Sequence, residues 1–299
     1  MNKYRRPREG MVEHTGALSQ LTNFILAALL AGIAFCAFVP LWHVLMASIS
    51  EGERVLAQSG ILWCPAGFAN LNGYQLIFQD ASIVRGYLNT IMYVVLATGL
   101  GVIINTLGAY TLSQPSRFRM ILVFFVVFTS LFSGGLVPTY MVIRSLGMVG
   151  TPLSLIIPGC TNAFFLLMLM NGFRRVPEST VESARIDGAG HIRVMFRIML
   201  PQARGMLLVT IINSVVMQWN SWFPASIYVT NQRHYWPLQL WIRQIVSENV
   251  NILQSANPNF NRWLIQYAVI IAATLPILLV FPFFQKQLEK GMLVGSVKE

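Results

Sequence analysis

The sequence predicts an all-α membrane protein with six transmembrane helices. Three observations carry that expectation. The 299 residues are 55% hydrophobic and only 11% charged, with mean hydropathy +0.59, whereas soluble domains carry about 25% charged residues. Six stretches contain no Lys, Arg, Asp or Glu: Phe24–Met46, Tyr87–Ser113, Met120–Ile143, Pro152–Gly172, Met206–Tyr228 and Leu264–Gln285. Each supplies the roughly 20 helical residues that a hydrocarbon core of about 30 Å requires. Finally, the 21 basic residues are segregated along the chain. Helices follow rather than sheets, because an open sheet would leave backbone polar groups unpaired in lipid.

The first segment is too long for the apolar region of a signal peptide and lacks a clean small-residue cleavage site, so it reads as a retained span. Placing the N-terminus inside puts fifteen Lys and Arg in inner segments and six (Arg54, Arg85, Arg144, Arg233, Arg243, Arg262) in outer loops. Positive charge favours the cytoplasmic side, so both termini are expected there. The division is then a cytoplasmic tail over 1–23, a membrane domain over 24–285 and a cytoplasmic tail over 286–299. The net charge of +10 belongs to this asymmetry and to anionic membrane lipids; no nucleic-acid pattern accompanies it.

Gly134, Gly135 and Pro138 predict a broken or bent third span near its outer end. Two long outer loops, Ser48–Gly86 and Val229–Trp263, have room for short amphipathic helices. Trp236, Trp241 and Trp263 in the second fit either an aromatic belt at the membrane interface or a contact with ligand or partner.

The fifth span carries Asn213, Gln218, Trp219, Asn220 and Trp222. Buried amides in lipid need partners, so these residues should face the bundle interior, either hydrogen-bonding between helices or lining a polar path. Asn105 and Asn162 are weaker candidates of the same kind.

The inner loop 174–204 has helical punctuation. Pro177 and Glu178 suit a helix start, and Gly188 suits its left-handed cap. Ile192, Met195, Phe196 and Met199 then recur at helical spacing, with Arg193 and Arg197 on another face. That pattern predicts an amphipathic helix at the membrane surface, broken by Pro201.

Catalytic chemistry has no foothold. Cys36, Cys64 and Cys160 have no metal or disulfide spacing, His14, His43, His191 and His234 are scattered, and there is no nucleophile elbow. None of the four lysines follows a glycine, so the chain lacks a phosphate-binding loop. An ATP-independent secondary transporter is the rival reading, but only His43 offers an ionisable group within the six apolar stretches.

One pattern goes further. Glu182-Ser183-Ala184, three residues, Gly188, nine residues, Ile198, one residue and Leu200-Pro201 closely resemble the coupling loop (Glu-Ala-Ala … Gly … Ile-x-Leu-Pro) of permeases in ATP-binding-cassette importers. Ser183 for the first Ala is the one departure. Phe132–Tyr140, Trp219–Pro224, Pro237–Leu240 and the tail Lys290–Ser296 are similar to the carbohydrate branch, nearest to the lipoprotein-associated, rhamnogalacturonan and alginate systems. The resemblance covers nearly the whole chain. It implies a type I importer permease fold, with this chain as the smaller permease in a bacterial cytoplasmic (inner) membrane. It further implies a second, larger permease, two ATPase subunits that hold ATP and Mg, a periplasmic or extracellular solute-binding protein and an oligosaccharide cargo. Glu182, Ser183, Ala184, Gly188, Ile198, Leu200 and Pro201 would contact the ATPase. No cofactor would be bound by this chain itself.

Overall fold

The structure, a computed structural model, describes residues 17–67, 71–247, 265–279 and 282. Residues 1–16 of the N-terminal tail, Arg262, Trp263 and the C-terminal tail with its Lys290–Ser296 pattern lie outside the described residues. Among those described, every regular element is helical.

The chain opens with α1 (Ala17–Ser48). Its most apolar stretch buries nothing inside the chain; only its last turns pack, through Met46 and Ala47, against Leu62. Two short helices follow, α2 (Gly52–Ala57) and α3 (Asn72–Gln79). Asp80 then caps α4 (Ala81–Ser113), its carboxylate accepting from Ser82 N at 2.7 Å. Next come α5 (Arg119–Leu131), α6 (Leu136–Ser145), α7 (Leu153–Cys160) and α8 (Ala163–Arg174). The loop region holds α9 (Glu178–Ile186), α10 (His191–Val194), a π turn (Met195–Met199) and α11 (Leu200–Gln202). The rest is α12 (Arg204–Trp219), α13 (Phe223–Tyr228), α14 (Leu238–Ser247) and α15 (Ile265–Leu279).

Among the described residues, three helical stretches are long and apolar enough to cross a membrane on their own: Gln20–Ser48, Ala81–Ser113 and Leu153–Arg174. The third expected span is bent by 111° between α5 and α6. Gly135 makes that bend, with φ 85° and ψ 179°, a conformation essentially reserved for glycine. The fifth expected span is also divided, into α12 and α13, around Asn220–Trp222.

Helix α4 is the centre of the bundle and packs against α7, α8 and α12. Lipid supplies no hydrophobic drive for helix association, so close backbone approach must do the work. Gly101 crosses directly over the carbonyl of Cys160, whose oxygen a Cβ at that position would overlap. Gly172 faces Met206, where an added Cβ would come within 2.8 Å of the methionine Cβ. Thr98 and Ser214 meet hydroxyl to hydroxyl at 3.3 Å across the α4–α12 seam.

The end of the bundle remote from residues 174–204 is capped by residues 229–247. Asn89 Nδ2 donates to the carbonyls of His234 and Trp236 at 2.8 and 3.0 Å, Tyr93 OH donates to the Tyr235 carbonyl at 2.7 Å, and Thr90 Oγ1 accepts from Leu238 N at 2.8 Å. The clamp presses Trp236 and Trp241 into a core, each 5% exposed. They serve neither as an interface belt nor as an outward contact, because the polar ends of α4 side chains hold their backbone down. Thr90→Val keeps the shape and orphans the Leu238 amide. It is expected to destabilise the cap by about 1–3 kcal/mol, seen as faster amide exchange over 234–245 with little change in α8.

Candidate functional site

Two regions gather the residues singled out from sequence. In the first, the 174–204 loop, Pro177 is the N-cap rather than the first helical residue, and Glu178 occupies the first turn. The helix α9 ends in a Schellman motif: Gly188 N donates to Arg185 O at 3.0 Å and Ala189 N to Ala184 O at 2.9 Å. Gly188 sits at φ +79° with open space where a Cβ would be, so the backbone conformation, not crowding, is what favours glycine there. Ala184 and Ala189, joined by that hydrogen bond, both pack on the cluster formed by Tyr110, Leu169, Phe173, Val194, Met195 and Met199.

The second half of the loop departs from expectation in two ways. Its buried face is Val194, Met195 and Met199, while Ile192 and Phe196 point outward, 73% and 52% exposed. A π turn follows at Met195–Met199. Leu200 N reaches back five residues to Met195 O, which rotates the faces relative to a regular helix. The helix also continues through Pro201: Ala203 N bonds Met199 O at 2.9 Å, and the 82° bend comes only between Gln202 and Arg204. Proline removes one donor and crowds the carbonyl four residues earlier, and the wider π turn relieves that crowding without breaking the rod.

The loop is tied to the bundle by polar contacts absent from the sequence reading. Arg185 Nη2 donates to Gln114 Oε1 at 2.7 Å, and His191 Nδ1 pairs with Tyr110 OH at 2.9 Å. Tyr110 also meets the Phe173 ring edge-on. Both anchors stand at the same end of α4. Glu182 and Ser183 remain exposed, as does Pro201, while Ile198 and Leu200 are half-buried against the cluster. Glu182, Ile186 (86% exposed), Ile192 and Phe196 are all exposed, as are Arg185, Arg193 and Arg197.

The second region is a cavity of about 290 Å³ at the α7–α8 and α12–α13 breaks. Gln218, Asn162, Thr161, Ser214 and Ser221 give it polar walls, and Tyr93, Phe165 and Tyr228 give it aromatic ones. Gln218 Nε2 donates to the Gly159 carbonyl at 2.6 Å, and the Asn162 side chain caps α8 by accepting from Phe164 N at 2.8 Å.

The five polar candidates of the fifth span separate. Gln218 lines the cavity. Trp219 is buried, its indole N–H donating to the Ala273 carbonyl of α15 at 3.1 Å, so it ties two helices together. Asn213 and Asn220 are exposed and do not line the cavity, although Met217 between them does. Each satisfies its amide on its own helix, at Val209 O and Val216 O, both 2.8 Å, which removes the need for burial. Trp222 is half-buried against the cap. Thr161 and Ser214 were missed. The Pro158-Gly159 pair before Thr161-Asn162 is the sequence signal for that break.

Comparison with known proteins resolves what such a bundle is. A family model described as "Binding-protein-dependent transport system inner membrane component" matches residues 82–294. The chain belongs to that family. This inner-membrane component is 36% identical to the polygalacturonan/rhamnogalacturonan transport system permease protein YtcP of Bacillus subtilis (strain 168), over 94% of this chain and 99% of the relative. It is also 36% identical to protein LplC of the same organism, over 90% and 92%. In structure it is similar to a chain of a bacterial ABC transporter involved in import of the acidic polysaccharide alginate. The TM-score is 0.84 at 27% identity, with 92% of this chain and 99% of that one covered. The permease is therefore a membrane component of a sugar ABC importer with the type I fold. His43, the ionisable group on which a proton-coupled alternative would rest, accepts from Leu62 N at 3.1 Å near the end of α1.

Proposed function

We propose that this permease is the smaller of two permease subunits, a non-catalytic chain that carries an acidic oligosaccharide through a path shared with a larger partner. Two ATPase subunits supply ATP and Mg, and an external solute-binding protein delivers the cargo. Both termini and the 174–204 loop lie on the cytoplasmic side, in keeping with the basic residues there. The single observation that carries the drive mechanism is the loop itself. It offers an exposed surface of Glu182, Ile186, Ile192 and Phe196, and two hydrogen bonds tie it to the end of α4. Glu182 pairs with a basic group of the ATPase. Ser183 and Pro201 stand at the exposed surface beside it. Ala184, Gly188, Ile198 and Leu200 hold the loop's shape. Gln218 presents hydrogen-bonding groups to sugar hydroxyls in the cavity, Trp219 and Trp222 fix its walls, and Asn213 and Asn220 face the shared path.

The acidic cargo rests on the relatives: one handles polygalacturonan and rhamnogalacturonan by name, and another imports the acidic polysaccharide alginate. ATP hydrolysis by the reconstituted complex, measured with binding protein loaded from a panel of acidic and neutral oligosaccharides, tests it. Stimulation by acidic members supports the reading, and stimulation by neutral members alone rejects it.

The α4 anchors give a graded test. Tyr110→Phe keeps the ring and removes the hydroxyl that meets His191. Losing one hydrogen bond of ordinary strength is expected to lower cargo-stimulated ATP hydrolysis about threefold to tenfold, while basal hydrolysis is retained.

A further inference from the structure

At the remote end of the bundle, Arg243 stands on the exposed face of α14. Its guanidinium carbon lies 3.5 Å from the centroid of the Trp222 ring. A guanidinium in that position is held by the indole face, yet its five N–H donors lie in its own plane and remain available. Among the described residues, no hydrogen bond or salt bridge engages Arg243. The indole is itself immobilised. Trp222 packs against the buried cluster of Ala225, Val229, Trp236 and Trp241 and meets Phe223 edge-on, centroids 5.4 Å apart. Its chain neighbours Ser221 and Pro224 line the polar cavity, and Phe223 exposes about half its surface. A second arginine repeats the theme nearby, with Arg233 5.5 Å from the Trp236 ring.

A fixed guanidinium with an open donor edge, beside an exposed aromatic ring and next to a hydroxyl-rich cavity, is suited to one kind of ligand. The fork takes a carboxylate in bidentate fashion. The aromatic ring takes the C–H face of a pyranose. We propose that Arg243, held on Trp222, is a carboxylate-binding site for the uronate groups of the cargo as it enters the cavity. The inference rests on the acidic-oligosaccharide reading and assigns that recognition to one side chain of this subunit.

The test uses the complete importer in proteoliposomes with its binding protein loaded with a defined oligouronate. Arg243→Gln is expected to lower maximal uptake about tenfold, the loss of one charge-assisted hydrogen-bonding pair. The half-saturating concentration of binding protein and the thermal stability of the complex should stay unchanged. Arg243→Lys should recover little, because an ammonium group cannot form the fork. Unaltered uptake in Arg243→Gln overturns the site. So does a loss that tracks weaker docking of the binding protein, which would assign the arginine to that protein's carboxylates, and so does a loss that tracks lower thermal stability. A wild-type importer that takes up no oligouronate removes the acidic-cargo reading and the site with it; a responsive wild type with an equally responsive variant removes the site alone.

Discussion

Gly188→Val is expected to abolish cargo-stimulated ATP hydrolysis while the subunit still inserts and assembles. Gly188 adopts φ +79°, where a β-branched side chain is an outlier. Nothing lies within 4 Å of a Cβ built there, so the defect is purely conformational. The strain is of order 1–3 kcal/mol, enough to empty the Schellman motif but far too little to unfold a helical bundle. Losing the motif frees the Ala184 carbonyl and changes the angle at which α9 meets α10, so Glu182 and Ile186 no longer share a surface with Ile192 and Phe196. Gly188→Asn is the matched control, since asparagine tolerates the left-handed region better than other side chains; it should retain most coupling. Parallel measurement of ATP hydrolysis and membrane insertion separates the two variants. Equal activity in both would show that the turn does not carry force.

The second large effect is expected at the centre of the bundle. Gly101→Val drives a side chain into the Cys160 carbonyl, which belongs to backbone and cannot swing aside. Overpacking a core typically costs about 1–3 kcal/mol, and a clash with backbone lies at or above the upper end. It would push α7 off α4, open the α4–α12 seam at Thr98 and Ser214, and deform the cavity walls at Gly159 and Gln218. The expected outcome is loss of folded subunit, read as aggregation of the detergent-solubilised chain on mild heating. Gly99→Val, two residues away on an exposed face with open space around it, should behave like the unsubstituted chain.

These two glycines also mark how far the sequence could be read. Gly188 was legible because a helix stop is local: proline, early acids and glycine punctuate one short segment. The bend at Gly134–Gly135 was legible for the same reason. The partner of Gly101 was not, since the requirement comes from a carbonyl on another helix. The outer tryptophans show the same limit. Trp236 and Trp241 are held in by hydrogen bonds with Asn89, Thr90 and Tyr93, nearly 150 residues away in the chain, as with Thr90 and Leu238. The apolar period of 191–202 was recognisable, but its phase was not: Val194 joins Met195 and Met199 on the buried side, while Ile192 and Phe196 are exposed. The Glu182–Pro201 pattern was legible, yet the groups that connect it to the bundle, Tyr110 and Gln114, lie on a helix whose sequence gives no sign of those contacts. Among the path residues, Gln218 reaches the cavity as polarity required, whereas Asn213 and Asn220 satisfy themselves on their own helix and stay outside it.

We propose that partner ATPase subunits move this chain through the 174–204 loop. Uptake of labelled oligosaccharide into proteoliposomes, comparing the full importer with the two permeases and binding protein alone, tests it most directly. Uptake should need both the ATPase subunits and ATP, and should vanish in the full complex carrying Gly188→Val. Accumulation of sugar without any ATPase would contradict the account.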